Sequence, residues 1–200
     1  MTPTRRYFNR HARSFDRVYG RRSLRHAPRR GRDVAVSIVA AHEAPAVLDV
    51  GCGPGRVAEA VIEAGAARYV GIDFSAEMLA LARRRLDGCD RAELIEGDFL
   101  DADVSGAFDV VLALGLFDYL AEPARAAAWL RAHCSSTLVA SFPRWEWVKA
   151  PLRHLYYRVY GCRLFEYTEA GVEELLSEAG FSSVEFPARG PRGFLVVSTR

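Results

Sequence analysis

Residues 47–55 read Val47-Leu-Asp-Val-Gly-Cys-Gly-Pro-Gly55 (VLDVGCGPG), an apolar run that ends in a cluster of glycines. The apolar part, Ala46–Val50, has the length and composition of a buried strand. The glycines allow a sharp turn after that strand and let a ligand approach the backbone closely. Neither the dinucleotide pattern G-x-G-x-x-G nor a phosphate loop fits, because Arg56 replaces the third glycine and no G-K-[ST] follows. Taken alone, the turn is either structural or ligand-binding.

Strands and helices alternate on both sides of this turn. The predicted strands are Ala46–Val50, Arg68–Ile72, Ala92–Glu96, Phe108–Leu114, Thr137–Phe142, Ser183–Phe186 and Phe194–Ser198. The predicted helices are residues 4–19, Val34–Ala41, Arg56–Ala64, Ser75–Leu86, Pro123–His133 and Thr168–Ala179. Such alternation predicts an α/β fold, a mostly parallel sheet with helices on both faces. The link Pro187–Gly193 is too short for a parallel crossover, so the last strand should be antiparallel.

Composition limits the class of protein. The chain has 200 residues, half of them hydrophobic, which is enough apolar material for one domain with a real core. No apolar run approaches the roughly 18 to 20 residues that span a bilayer. The four cysteines are scattered without a C-x-x-C pair, which disfavours a disulfide framework or a zinc site and favours a reduced, cytoplasmic protein.

Charge divides the chain into a basic arm and an acidic body. Residues 1–32 hold 11 of the 27 basic residues and one acid, Asp16, whereas residues 33–200 are acidic overall. The arm could attract an anionic substrate, touch nucleic acid, fold back onto the body or serve as a transit peptide. We predict an N-terminal helical arm over 1–32 and a main domain over 33–200. Residues 144–167, rich in Trp and Tyr, would be a helical insertion that covers the carboxyl edge of the sheet.

Two acids follow the second and third predicted strands. Asp73 lies 22 residues beyond Gly51, where a carboxylate can accept both hydroxyls of a ribose. Asp98 could accept the exocyclic amine of an adenine, and Phe99 could stack on the ring. Singly, Asp73 reads as a helix cap and Asp98 as a turn residue. Their order at the ends of successive strands favours a shared nucleoside site.

These motifs together resemble the class I S-adenosylmethionine-dependent methyltransferases. The resemblance rests on Val47–Gly55, on Val70-Gly-Ile-Asp-Phe-Ser75, on Gly97-Asp98-Phe99 and on Phe108–Leu114, and it spans residues 33 to 198. It implies a Rossmann-like, seven-stranded sheet with a reversed last strand, and S-adenosyl-L-methionine as cofactor. It also implies the cofactor-binding residues, which are Asp49, Gly51, Cys52, Gly53, Gly55, Asp73, Phe74, Met78, Asp98, Phe99 and Leu114.

Methyl transfer from a sulfonium is an in-line displacement that depends on positioning and a dry pocket rather than on a metal. Asp118 or Tyr119, after the fourth strand, could orient the acceptor or take its proton, although a helix cap and a packing residue are equally good interpretations. The alternative bases are His11 and His154. The first helix, with its Tyr and Phe residues, resembles the lid helix of small-molecule members. The predicted substrate-binding residues are Tyr7, Phe15, Tyr19, Arg144 and Tyr157.

The leading prediction is an enzyme that methylates a small molecule, with oxygen slightly favoured over nitrogen as the acceptor atom. An anionic or aromatic acceptor would suit Arg144 and the aromatic insertion, although that insertion could equally be a packing face or a dimer contact. Nucleic acid is disfavoured, because the [D/N/S]-P-P-[Y/F/W] motif of base methylases is absent after the fourth strand. The alternatives are RNA or protein methylation through the basic arm and a non-catalytic binding module. The chain would act as a monomer or homodimer.

Overall fold

A computed structural model describes residues 2–20, 26–145, 150–191 and 193–200. These residues form one seven-stranded sheet in the order β3-β2-β1-β4-β5-β7-β6. The strands are β1 (Ala46–Val50), β2 (Arg68–Asp73), β3 (Ala92–Glu96), β4 (Phe108–Ala113), β5 (Cys134–Pro143), β6 (Ser183–Gly190) and β7 (Gly193–Thr199). The helices are α1 (Pro3–Gly20), α2 (His26–Ala40), α3 (Arg56–Glu63), α4 (Ala76–Arg85), α5 (Pro123–His133), α6 (Ala150–Val159) and α7 (Glu169–Glu178), with a 3-10 turn at Phe117–Tyr119.

The topology confirms the predicted Rossmann-like fold class. The strands from β1 to β5 pair in parallel, whereas β7 runs antiparallel to both β5 and β6. The sheet order changes direction between β1 and β4, and a ligand site is expected at such a point, beyond the carboxyl ends of the strands. The VLDVGCGPG turn follows β1 at this point, so the topology places the turn where a ligand site is expected.

The last hairpin is tighter than its sequence suggests. The predicted link Pro187–Gly193 was wrong in length, because β6 continues to Gly190 and β7 begins at Gly193. Proline cannot donate to a ladder and therefore signals a strand end. Here Pro187 lies at a register shift between Glu185 and Ala188 on the edge strand, where the missing donor is tolerated.

Two buried clusters cover the two faces of the sheet. On one face α2 and α3 pack through Ala35, Val39 and Val61 against the central strands. On the other face α5 and α7 contribute Leu130 and Leu176. The helices on both faces follow from strands that are apolar throughout, since such strands must be covered on each side.

Helix ends follow the sequence at the N-caps and differ from it in α2. The predicted caps Ser75 and Thr168 accept hydrogen bonds from the backbone N–H groups of Met78 and Gly171. The helix predicted to begin at Val34 begins at His26 instead, with Pro28 in its first turn, where proline is tolerated. The division proposed between residues 32 and 33 therefore lies inside a continuous helix. No helix in the described ranges is both long and apolar enough to cross a membrane.

Candidate functional site

The glycine turn after β1 leaves room at one position and packs tightly at another. A Cβ atom on Gly53 would meet nothing nearer than the Gly51 carbonyl oxygen, at 4.0 Å, so the backbone there borders open space. On Gly55, by contrast, a Cβ would lie 3.0 Å from the Ala82 Cβ, so the turn packs directly on α4. Both glycines have positive φ, 54° and 73°. The turn is thus fixed on its α4 side and open at Gly53, as a cradle for a ligand requires.

Asp73 at the end of β2 holds this turn in place. Its carboxylate oxygens accept hydrogen bonds from the Gly53 N–H at 2.9 Å and from the Ser75 N–H at 2.8 Å. Burial raises the pKa of Asp73 to about 6, and the two backbone donors oppose that rise. A carboxylate has about four lone-pair sites, so two remain in which ribose hydroxyls can bind. The cap interpretation and the ribose interpretation are therefore compatible at this residue.

Asp49 lies beneath the turn, on β1. Its side chain is buried and accepts a hydrogen bond from the Tyr69 hydroxyl at 2.8 Å. Burial raises the pKa of Asp49 to about 7, with the nearby Asp73 adding to the rise. A nearby positive charge would lower that pKa and keep the carboxylate ionised. Asp49 is thus suited to a ligand that carries an amino group.

The predicted adenine end lies at the turn after β3. Asp98 is exposed and accepts the Leu100 N–H, as a turn residue would, and a Cβ added on the neighbouring Gly97 would meet nothing within 4 Å. Phe99 is 7% exposed and packs edge-on against Trp129, with ring centroids 5.2 Å apart. The structure therefore gives Phe99 a core contact, and its stacking on adenine stays a prediction.

After β4, the side chain nearest the glycine turn belongs to Leu116. A Cβ on Gly51 would lie 3.5 Å from the Leu116 Cδ1. Leu114, the residue that was predicted to lie under the cofactor, instead packs against Gly31 of α2, where a Cβ would meet its Cδ2 at 3.1 Å. Of the other predicted residues in this region, Cys52 and Met78 are buried and Phe74 is half-buried.

Helix α1 crosses the carboxyl edge of the sheet and is fixed along its length. Near its start Arg5 forms an ion pair with Glu96 at the end of β3, at 2.6 Å. In its middle the Ser75 hydroxyl donates to the Asn9 side-chain oxygen at 2.6 Å. Further along, Asp16 accepts hydrogen bonds from two arginines, described next. The helix therefore forms a cover over the candidate site.

Asp16 is the acid that ties the basic arm to the body. The Arg56 Nε lies 2.8 Å from its Oδ1, and an Arg85 nitrogen lies 3.2 Å from the same atom. Arg56 also donates to the Asp16 backbone carbonyl at 2.9 Å. Both arginines flank the glycine turn, since Arg56 directly follows Gly55 and Arg85 contacts the Pro54 carbonyl. The latch of α1 is thus built on the predicted cofactor loop itself.

Aromatic rings join α1 to α6 and to the 3-10 turn after β4. Tyr7 is buried, with its ring centroid 4.4 Å from that of His11 and 5.2 Å from that of Tyr157. Phe8 contacts Tyr119 at 5.0 Å, and it also contacts Phe74 and Phe15 at 5.8 and 5.9 Å. Most of the predicted lid and acceptor residues therefore meet in one aromatic cover. The side chain of Tyr19 and residue Trp147 lie outside the described part of the chain.

Three of the candidate bases, Asp118, His11 and His154, have different surroundings. The carboxylate of Asp118 forms an ion pair with Arg153 of α6; burial raises the pKa of Asp118 and the guanidinium opposes this rise. His11 bonds through Nδ1 to the Tyr7 carbonyl oxygen at 2.9 Å. The His154 Nε2 lies 2.8 Å from the Glu166 Oε1, and the Glu166 side chain is 13% exposed. Such a carboxylate partner orients an imidazole and leaves its other nitrogen to accept a proton.

Arg144 lies apart from the aromatic cover, beside a cavity at the end of β5. The cavity measures about 600 Å³ and is lined by Arg144, Trp145, Tyr167, Thr168, Glu169, Pro191 and Phe194. Trp145 also approaches His154, with ring centroids 5.5 Å apart. The cavity thus combines a cation with aromatic walls and lies next to the His154–Glu166 pair.

Several functional contacts were not predicted from the sequence. Arg153 and Glu166 pair with two of the predicted bases, and Asn9 and Leu116 approach the glycine turn and its neighbouring helix. Only Asp16 had a visible signal, as the single acid in a basic arm. Within the described ranges no group of three His, Cys, Asp or Glu side chains is arranged to hold a metal ion.

Comparison with known proteins identifies the domain. Residues 47–136 match the family model described as a methyltransferase domain. A ubiquinone biosynthesis O-methyltransferase of Thiobacillus denitrificans is 38% identical over 85 residues, which are 41% of this chain and 36% of that protein. An uncharacterized 37.1 kDa protein in transposon TN4556 of Streptomyces fradiae is 32% identical over 127 residues, 60% of this chain and 36% of that protein. The chain thus spans about a third of the length of these curated relatives.

A solved structure extends the similarity to the whole fold. The magnesium protoporphyrin IX methyltransferase of Synechocystis superimposes with a TM-score of 0.76 at 21% identity, covering 98% of this chain and 97% of that one. At this identity the likeness concerns the fold. The domain match spans the glycine turn together with Asp73 and Asp98. The chain therefore contains a match to a methyltransferase domain at residues 47–136, within a fold that a solved methyltransferase shares.

Proposed function

We propose that this protein transfers a methyl group from S-adenosylmethionine to a small-molecule acceptor, with oxygen preferred over nitrogen. The observation that carries the proposal is the convergence of Gly53 and Asp73 beneath the α1 cover, with Asp98 at the end of the adjacent strand. When bound, S-adenosylmethionine supplies an activated methyl group that needs no further activation by the protein.

The residues present fit that cofactor. The open backbone at Gly53 admits the methionine part, and the free lone pairs of Asp73 can accept the ribose hydroxyls. Asp49 supplies a buried carboxylate toward an amino group, directly or through water. The open space at Gly97, next to Asp98, suits the adenine.

The chain's own contribution to catalysis is position, exclusion of water and removal of one proton. The aromatic cover formed by α1, Tyr119 and Tyr157 keeps the reacting atoms dry. We assign proton removal from a hydroxyl acceptor to His154, because Glu166 orients its ring. Asp118 is a weaker candidate because its carboxylate already forms an ion pair with Arg153. Through this ion pair, Asp118 holds α6 in place.

The acceptor class follows from the cavity at β5. Arg144 would bind an anionic group, and Trp145, Tyr167 and Phe194 would enclose an aromatic or greasy ring. The names of two similar proteins, a ubiquinone biosynthesis O-methyltransferase and a magnesium protoporphyrin IX methyltransferase, agree with ring-bearing acceptors.

The four free cysteines suit a reducing, cytoplasmic location.

The test is to incubate the protein with S-adenosylmethionine and a panel of phenols, aromatic carboxylates, amines, RNA and proteins, and to find methylated products by mass spectrometry. Methylation of a phenol or carboxylate supports the proposal. Methylation of RNA or protein alone would favour the alternative in which the basic arm binds a macromolecular acceptor. Tight cofactor binding with no product from any acceptor would favour a non-catalytic module.

Calorimetry tests the cofactor site without an acceptor. Asp73→Ala removes a charged acceptor of two hydroxyls, a loss of about 1.5 to 3 kcal/mol, so we expect affinity for S-adenosylhomocysteine to fall more than tenfold. Asp101→Ala, at an exposed position in the turn after β3, is the matched control and should bind normally. Unchanged affinity in the Asp73 variant would refute the ribose assignment.

A further inference from the structure

The outer surface of the cover carries charge of one sign. Arg6, Arg10, Arg13 and Arg17 are all exposed on α1, at spacings of four, three and four residues, so they form one stripe. The single acid of this helix, Asp16, points inward to Arg56 and Arg85. Along its outer face, α1 is therefore a row of arginines with no exposed acid.

Beside this stripe, α6 and Tyr160, the residue that follows it, expose apolar and aromatic side chains. Val159 is 75% exposed, Leu155 60%, Tyr156 47% and Tyr160 38%. Together with Trp145, they are the large hydrophobic residues that are exposed in the described ranges, and all five fall within residues 145–160. Scattered exposed apolar residues need no explanation, but a cluster of this kind marks an interaction surface.

The two features adjoin, because the first half of α1 packs against the C-terminal end of α6. The Tyr7 ring lies 5.4 Å from that of Tyr160, and the His11 ring lies 5.3 Å from it. Near the start of α1, a Cβ on Gly161 would meet Pro3 at 2.9 Å. Arg158 and Arg163 are also exposed, and residues 150–163 contain no acid. We call this surface, formed by the arginine stripe and the apolar face of α6, the basic–apolar face.

We propose that the basic–apolar face docks this protein onto an anionic lipid bilayer, as a peripheral rather than a spanning protein. Arginines bind lipid phosphates, Tyr and Trp favour the interface between water and hydrocarbon, and Leu155 and Val159 can enter the acyl boundary. A nucleic acid would use the arginines but leave Leu155 and Val159 exposed to water. Charge complementarity together with the aliphatic residues therefore favours the bilayer.

Docking in this way would place the cover of the candidate site against the membrane. The helices α1 and α6 that form the face also carry Tyr7 and Tyr157, which line the inner side of the cover. A lipid-soluble acceptor could then reach the site without crossing water. The docking itself does not depend on the methyl-transfer proposal, because it is measured by binding alone.

The experiment is co-sedimentation of the full-length protein with vesicles of phosphatidylcholine containing about a third phosphatidylglycerol, and with pure phosphatidylcholine vesicles. Binding should be confined to the anionic vesicles and should weaken as salt rises. Arg10→Gln/Arg13→Gln should reduce partitioning roughly 25-fold, since each arginine near such a surface contributes roughly fivefold. Leu155→Ser/Val159→Ser should reduce it at least tenfold, because both exposed aliphatic side chains are lost.

A matched control separates location from total charge. Arg68→Gln/Arg200→Gln removes the same charge from the amino edge of the sheet, opposite the basic–apolar face, and should bind anionic vesicles as the unmodified protein does. All the substituted residues are exposed, and thermal unfolding of each variant verifies the fold. No binding to anionic vesicles, equal loss in the control, or full binding by the Leu155/Val159 variant would overturn the proposal. Salt-sensitive binding of RNA without vesicle binding would also overturn it.

Discussion

At the scale of single residues, the candidate site is built from acids that are costly for the folded chain. Asp49 and Asp73 are both largely enclosed, and burial raises the pKa of each, to about 7 and about 6. Buried charges are retained when a ligand or a partner makes use of them. The two acids are therefore expected to trade stability for cofactor affinity, and this trade can be measured.

The pH dependence of Asp49 gives a signed prediction. Between its unfolded pKa of 3.8 and its folded pKa of about 7, the folded chain holds a proton that the unfolded chain has released, so stability falls as pH rises through this range. Asp49→Asn removes that loss. Relative to the unmodified protein, the variant should gain about 3 kcal/mol of stability between pH 4.5 and pH 8, since one pKa unit corresponds to about 1.4 kcal/mol.

Thermal unfolding at the two pH values measures the change in stability. Calorimetry with S-adenosylmethionine at pH 8 measures the change in cofactor affinity. The same variant should bind the cofactor more weakly, because the amino group loses its carboxylate. If the variant is stabilised but binds the cofactor normally, Asp49 does not bind the amino group of the cofactor. Equal gains at both pH values would contradict the assigned pKa.

Gly53 offers a steric test of the open cradle. Gly53→Val places a branched side chain where φ is 54° and where the backbone borders open space, so it should abolish detectable cofactor binding. Gly65→Val is the matched control, since Gly65 also has positive φ and no atom lies within 4 Å of its added Cβ. Both variants should lose similar stability, and calorimetry should detect binding in the control alone. Normal binding by a folded Gly53 variant would exclude the turn from the site.

At the scale of elements, the sequence was informative wherever local pattern determines structure. The alternation of strands and helices follows from apolar runs separated by caps and glycines, and Ser75 and Thr168 cap the predicted helices. The sequence did not predict that α2 begins at His26 or that β6 continues through Pro187. In both cases tertiary packing or an edge position overrides a local signal, which no single-sequence pattern contains.

The pairing of side chains between distant elements was equally beyond the sequence. Arg153 and Asp118 are 35 residues apart, and Asp16 and Arg85 are 69 apart. Charged residues are common on both sides of each pair, so many pairings were possible. Only the fold decides which of them meet.

The latch at Asp16 predicts how tightly α1 is held. Asp16→Asn removes the charge that both Arg56 and Arg85 contact, so α1 should open more often, with amide exchange in residues 3–17 increased about fivefold. Asp103→Asn, at an exposed position between β3 and β4, is the control. Hydrogen exchange by mass spectrometry measures both. Unchanged exchange in α1 would mean that the aromatic contacts alone hold the helix.

Removal of α1 tests its proposed role as a lid. A chain that lacks residues 2–20 keeps the sheet and both buried clusters, so it should fold. Its turnover of an identified acceptor should fall well below that of the intact chain, because water enters the site. Circular dichroism verifies the fold and product formation measures the effect. Undiminished turnover by the truncated chain would refute the lid assignment.

At the scale of the whole molecule, the proposed site predicts a link between cofactor binding and folding, because it draws on β1, β2 and β3 together. At 100 times its dissociation constant, S-adenosylhomocysteine should add about 2.7 kcal/mol, which for a domain of this size raises Tm by roughly 5 to 10 °C. Differential scanning fluorimetry measures the shift. The Asp73→Ala variant should show a smaller shift at the same concentration, and an equal one would contradict a site that spans the strands.

The reversed direction of β7 has a practical consequence for anyone who attaches a label to this protein. Because β7 runs against β5, Thr199 pairs with Thr137 near the start of β5, so Arg200 emerges at the far rim of the sheet, away from the glycine turn and the helices above it. A fluorophore or a surface tether attached at Arg200 would leave access to the candidate site clear. The same group attached before Pro3 would obstruct that access.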